Sequence, residues 1–324
     1  MIDRELREFL GRLLGNRRAQ IGAIALSVIA FFSIFAEWIA SDVPIYVRYQ
    51  GSSYVLPAIT RPDRFRDMRA DQIKATLGPD DAALWPLLRV GPEAPTTDPP
   101  LRAASLSHLL GTDAFGRDVF ARLLHGTRVS LALGATVGAL SLLIGFALGG
   151  VAGALGGVWD SLIERLVEIV GVFPAVVAVA LVRALERRPS LLSLIVVIAA
   201  VNGANIARLT RVLVLRSLAE EWAVAAQATG ASPLRIAFRH LAPHLAPALA
   251  IAGVLAVGSV ILTETSLSFL DLGVPSKIAT WGEMLGEIRW GAGAPILLPP
   301  IIALALTVGA LYLIADAIRK TFEV

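Results

Sequence analysis

Few residues in this chain have types and spacings suited to covalent or metal chemistry. The histidines, at 108, 125, 240 and 244, fall in different segments; His240 and His244 alone share a helical spacing, and Pro243 between them disfavours a common metal. No HExxH pair occurs, and without cysteine there can be no disulfide, thiolate metal site or cysteine nucleophile. No GxxxxGK[ST] phosphate loop is present, so the chain is not expected to hydrolyse ATP itself. Nor do paired aspartates or a serine of intramembrane-protease type stand out in its apolar runs. Three features remain. Glu264, flanked by Thr263 and Thr265, is an acid in an apolar run, a functional candidate by default because an unpaired charge at membrane depth is costly; a structural hydrogen bond to a neighbouring helix is the competing reading. A string of glycines and charges runs from 111 to 134, and a polar, basic island occupies 219–247.

The elements that must position these residues are membrane spans. Hydrophobic residues make up 56% of the 324 residues, the mean hydropathy is +0.69, and apolar runs of the roughly 20 residues needed to cross about 30 Å of hydrocarbon recur. The net charge of +3 does not argue for nucleic acid, because the basic residues lie between apolar runs and are matched by acids in the largest polar segment. Six spans are expected, near 21–39, 129–155, 162–182, 191–209, 245–270 and 296–314, the third with Glu164 and Glu168 in its first turns and Pro174 within it. The leader carries Arg4, Arg7, Arg12, Arg17 and Arg18. Its length and acidic content, a first run of full membrane length, and Trp38 placed as an interfacial anchor all argue against a cleaved signal peptide. With Arg208, Arg211, Arg216, Arg319 and Lys320 it places both termini in the cytoplasm. The short basic loop 183–189 runs against that tendency, and nothing in the sequence accounts for it.

Three regions follow: a leader and first span at 1–40, an extracytoplasmic segment at 41–128, and a five-helix core at 129–324. Prolines at 44, 57, 62, 79, 86, 92, 95, 99 and 100 forbid long helices in the second region, whose opening is compatible with a small β-hairpin. At its end, Val119, Phe120, Leu123 and Leu124 line one face of an interfacial helix that Gly126 is placed to stop. The glycines of 129–155 suit close helix packing. In the island, Glu220 and Glu221 favour a helix start, Ala223 to Thr229 favour its body, Gly230 permits a left-handed stop, and Ser232–Pro233 opens a second helix. Helix, tight turn, helix is the expectation. It could serve only to join two spans.

Ala225, Ala226, Gly230, His240, Leu241 and Pro243 resemble, at these spacings, the EAA loop of ABC-importer permeases in its peptide-importer variant. Val224 stands in place of that loop's glutamate, and His244 where asparagine commonly follows the proline. Gly111, Thr112, Asp113, Gly116, Arg117, Asp118 and Arg122, followed by Leu123, Gly126, Arg128, Ser130 and Leu131, resemble the signature before the second span of dipeptide and oligopeptide permeases. The text around Glu264, Ser266 and Ser268 is similar to a third family segment, with Asp271 replacing a usual glycine, and Trp281, Gly282, Met284 and Leu285 continue it. Asp42, Pro44, Tyr49, Gly51, Tyr54 and Pro57 are similar to the start of the insertion in the second permease of Yej-type (microcin C and oligopeptide) importers.

The resemblance implies an all-α integral membrane protein of the type I ABC importer permease fold, with an extracytoplasmic insertion between the first two helices. It implies a peptide importer in the bacterial inner membrane, with a second homologous permease, two cytoplasmic ATPase subunits that bind ATP and Mg, and an extracytoplasmic peptide-binding protein; no metal or cofactor belongs to this chain. Coupling to the ATPase falls to Ala225, Ala226, Gly230, Ala231, Ser232, Arg239, His240 and Pro243, and a pathway role to Glu264, Ser266 and Ser268. Nickel or opine cargo is the near alternative, and a membrane-bound enzyme or passive channel the distant one.

Overall fold

The computed structural model describes residues 11–322 except 61, 64, 66, 67, 69, 79, 80, 94, 97, 98, 187–189 and 275–277. The start of the basic leader and the end of the 183–189 loop thus lie outside the described residues. The long helices are α1 (Arg17–Ile34), α2 (Val119–Leu155), α3 (Gly157–Val172), α4 (Ala175–Leu185), α5 (Leu191–Leu218), α6 (Glu221–Ala228), α7 (Pro233–Phe269), α8 (Trp281–Gly286, continued by a 3-10 turn over Glu287–Trp290) and α9 (Ala294–Phe322). Five of these, α1, α2, α5, α7 and α9, are long and apolar enough to cross a membrane, and α3 with α4 make a sixth if the bent pair is one span. The chain forms two compact units, one of residues 1–26, 132–266 and 307–324, the other of residues 27–131 and 267–306.

In the first unit, glycine lets helices meet backbone to backbone, which is how apolar helices associate when lipid surrounds them. A Cβ on Gly149 would lie 2.2 Å from the Ala207 carbonyl oxygen, and on Gly145 2.9 Å from that of Gly203, so these α2 glycines, one turn apart, fix the approach of α5. Gly138 is held as closely to Val257 of α7. Arg211 of α5 donates two hydrogen bonds to the Asp160 carboxylate of α3, at 2.5 and 2.6 Å, and Glu164 lies 3.1 Å away. The third expected span is not continuous. Pro174 lacks an N–H and disfavours helical geometry at Phe173, whose backbone is extended (φ −79°, ψ 125°), and α3 and α4 bend there by 86°.

In the second unit, β1 (Tyr46–Tyr49), β2 (Ser52–Val55) and β3 (Ala82–Leu84) form an antiparallel sheet in the order β2-β1-β3, with Tyr46 opposite both Val55 and Leu84. Gln50 and Gly51, both at positive φ (48° and 79°), make the tight two-residue turn that matches strand twist. Val47, Tyr49, Phe65 and Ile73 form the core under the sheet, with the Tyr54 ring edge-on to Phe65 at 5.3 Å. Gly126 does not stop the helix it lies in: α2 runs through it as one element from Val119. A mid-helix glycine costs only about 1 kcal/mol relative to alanine, and the apolar residues beyond it favour continuation.

Candidate functional site: a lever, a groove and a charged clamp

The island folds as helix, turn, helix. Glu220 stands at the N-cap of α6, with an extended backbone. Its C-terminal turn is a Schellman motif: Ala231 N–H donates to Ala226 O at 3.1 Å and Gly230 N–H to Gln227 O at 2.9 Å, with Gly230 at φ +94°. Ser232 then accepts from the Arg235 N–H, and Pro233 occupies the first turn of α7. Residues Ile236–Leu241 form a π-helical stretch, and the whole of Pro233–Phe269 is one element rather than a loop followed by a separate span. Ala223 is fully buried in one apolar core with Val214, Ile236, Ala237 and Leu241, which fastens α6 to the base of α7. The face of α6 away from Ala223 is open: Val224, Ala225 and Ala228 are exposed, Ala226 is half-buried, and Gln227, one turn after Ala223, is exposed as well. Arg239, His240 and Pro243 are exposed on the adjoining segment, while His244 lies beside the Trp222 ring, centroids 6.2 Å apart. Short side chains on an exposed face of a helix anchored from behind make a surface that another protein's cleft can enclose.

Glu264, Ser266 and Ser268 do not share a surface. At 100° per residue, Glu264 and Ser268 fall on one face of α7 and are 2% and 5% exposed, whereas Ser266 falls on the other and is exposed. Ser266 lines a groove of about 420 Å³ with Ser259, Thr263 and Tyr312, whose apolar walls include Leu255 and Leu262. Among the described residues none that lines it is charged. Ser259 donates to Asn202 Oδ1 at 3.2 Å, and Ser266 back-bonds to the Leu262 carbonyl at 2.9 Å. The hydroxyls at 259, 263 and 266 were legible only as a helical stripe, and Tyr312 carried no local signal.

In the second unit, the glycine and charge string closes on itself and on α8. Gly111 (φ +80°) passes so near the backbone that a Cβ would lie 2.3 Å from Arg102 O, and Gly116 (φ +77°) makes the next reversal. Thr112 donates through Oγ1 to the Pro99 carbonyl at 2.9 Å and pairs across a bridge with Asp118. Asp118 Oδ1 accepts the Ala121 N–H at 2.7 Å, capping α2, and Oδ2 lies 2.7 Å from His108 Nδ1. Asp113 accepts the N–H groups of Phe115 and Arg117 through Oδ1 and the Arg117 Nε–H through Oδ2. Arg117 reaches on to Glu287 Oε1 at 2.8 Å, and Arg122, 1% exposed, bonds Glu283 and lies 3.1 Å from Glu287. Burial works against the Arg117 guanidinium, but Asp113, Glu283 and Glu287 more than offset it and hold its pKa above the ordinary value. Glu93, raised by burial, accepts the Ala279 N–H at 3.0 Å. Sequence reasoning missed Glu283 and Glu287; their spacing of four after Trp281–Gly282 was the available signal. Among the described residues no group of three or more His, Asp or Glu side chains is arranged to hold a metal.

Residues 145–323 match the family model of the binding-protein-dependent transport system inner membrane component. A chain of Brucella abortus biovar 1 named as a peptide transport system permease protein is 33% identical over 84% of this chain and 93% of its own length. The dipeptide transport system permease protein DppC of Alkalihalophilus pseudofirmus is 35% identical over 69% of this chain and 74% of its own. Among solved structures, one of the MetNI methionine ABC transporter in an inward-facing conformation superposes with a TM-score of 0.53, covering 62% of this chain and 97% of that one at 18% identity, a likeness of fold. With the family model matching more than half the chain and these relatives spanning most of it, the chain belongs to the inner membrane components of binding-protein-dependent transport systems, as a multi-pass transport subunit rather than an enzyme.

Proposed function

We propose that this chain is a permease subunit of an ATP-driven importer whose cargo is peptide. The observation that carries the reading is the end-to-end similarity to a chain named for peptide transport, 33% identical over 93% of that relative. In this reading a second permease completes the pathway, a binding protein delivers cargo outside, and two ATPase subunits supply ATP and Mg from the cytoplasm, where both termini and the α6 lever lie. The open face of Val224, Ala225 and Ala228 docks in the ATPase, with Arg239, His240 and Pro243 at its margin. Because Ala223, Ile236 and Leu241 share one core, a push on α6 passes into α7 as a rigid displacement. α7 carries the Ser259, Thr263 and Ser266 stripe, which forms part of the pathway wall. A wall of hydroxyls with no charge suits peptides of varied side chains, because it offers hydrogen bonds to a backbone and no fixed charge to exclude one.

Affinity purification of the tagged chain from detergent tests the assembly, with two ATPase subunits and a second permease expected to accompany it. Recovery of the chain alone from cells that still take up peptide would contradict it. For the groove, Ser266→Trp fills the space and is expected to lower peptide uptake at least tenfold while membrane levels and ATPase recovery stay normal; unchanged uptake would remove the groove from the pathway.

A further inference from the structure

The charged clamp of the second unit holds more carboxylates than guanidiniums. Asp113, Glu283 and Glu287 face Arg117 and Arg122, and the side chains are 1%, 16%, 3%, 10% and 1% exposed respectively. Arginine keeps its charge under all ordinary conditions. Full ionisation would therefore leave one uncompensated negative charge in a site almost closed to water, where an unpaired charge is strongly disfavoured. Glu93, whose carboxylate lies at the Ala279 N–H, adds to the negative side. Glu93 bonds a backbone N–H and neither guanidinium, so it is set apart, and among the three carboxyls that share the two arginines one must take a proton.

The geometry selects which one. Asp113 accepts two backbone N–H groups and one guanidinium N–H, so its charge is well satisfied. Glu283 is the least buried of the three and bonds Arg122 directly. Glu287 differs: its Oε1 is shared between Arg117 at 2.8 Å and Arg122 at 3.1 Å, and its buried Oε2 has no hydrogen-bond partner among the described residues. A proton on Oε2 relieves an otherwise bare buried charge and leaves the bonds at Oε1 in place.

We propose that this clamp is a binding site for a single proton, held on Glu287, and that losing the proton loosens the tie between residues 111–122 and the turn at 281–290. The inference goes beyond the transport reading and does not depend on what the cargo is. Burial first, then the carboxylates of Asp113 and Glu283, push Glu287 from the ordinary 4.5 up to about 7 against the pull of Arg122 and Arg117. The sign follows from linkage. The carboxyl binds its proton more tightly in the closed clamp than in an opened one, so the clamp is tightest below the ordinary carboxyl pKa, weakens as pH rises from about 4.5 to 7, and levels off above.

Hydrogen exchange of the purified full chain, corrected for the intrinsic pH dependence of amide exchange, tests the proposal at residues 111–122 and 281–290. Protection is expected to fall between pH 5 and 7 by up to about tenfold per unit and to be flat from pH 7 to 8.5. Glu287→Gln keeps the protonated shape and should stay at the acid level throughout. Glu283→Gln, which removes the surplus charge while leaving Glu287 titratable, should move the step to lower pH by about one unit or more. Wild-type protection that does not change with pH overturns the proposal, as does a step that survives Glu287→Gln or stays at the same pH in Glu283→Gln.

Discussion

Arg122→Ala is expected to be the most damaging single truncation in the second unit. Arg122 is 1% exposed; its guanidinium bonds Glu283 and lies 3.3 Å from Asp113 and 3.1 Å from Glu287. Removing it leaves three carboxylates sharing Arg117 alone, and breaking a buried ion network from one side costs about 3–5 kcal/mol. Thermal unfolding in detergent should show a large drop in the transition, with the 111–122 region opening first. Arg122→Lys should recover only part of the loss, because an ammonium lacks the planar fork needed to reach carboxylates in different directions. A loss below about 1 kcal/mol, in the range of exposed pairs, would mean that the clamp is not a closed buried network.

The second large effect is expected at Gly230. Its φ of +94° closes the Schellman turn between α6 and α7, a conformation that a β-branched residue adopts only with strain of about 1–3 kcal/mol. Nothing lies within 4 Å of where its Cβ would sit, so strain and not collision is the cause. Gly230→Val should redirect α6 and reduce peptide uptake at least tenfold, with insertion of the chain in the membrane unchanged. Gly230→Asn, which tolerates positive φ better, should retain most of the uptake. Equal uptake in the two variants would show that the turn does not set the lever's direction.

Much of this architecture was legible in the residues. Apolar runs of spanning length located five long helices, and Glu220, Gly230 and Ser232–Pro233 marked the start, stop and restart of the helix–turn–helix because each acts on its own backbone. Asp113, Arg117, Asp118 and Arg122 stood out as a string, yet their partners Glu283 and Glu287 are more than 150 positions away in sequence, beyond the reach of local pattern. Pro174 was visible, but whether a proline bends a span or breaks it depends on what packs on either side, and the 86° turn was not foreseen. The division of Glu264 and Ser268 from Ser266 follows from helical phase alone and could have been drawn from the sequence. Gly126 misled because a glycine in a sequence reads as a stop, whereas here the helix continues through it.

Transport driven by a partner ATPase is what the α6–α7 arrangement is proposed to serve. Uptake of a labelled peptide should be compared in cells carrying the intact chain, cells lacking it, and cells carrying it while a partner ATPase is disabled. ATP-dependent accumulation in the first strain, with loss in both others, is the predicted result. Accumulation that persists without the chain, or that continues with the ATPase disabled, would contradict a permease driven through the α6 lever.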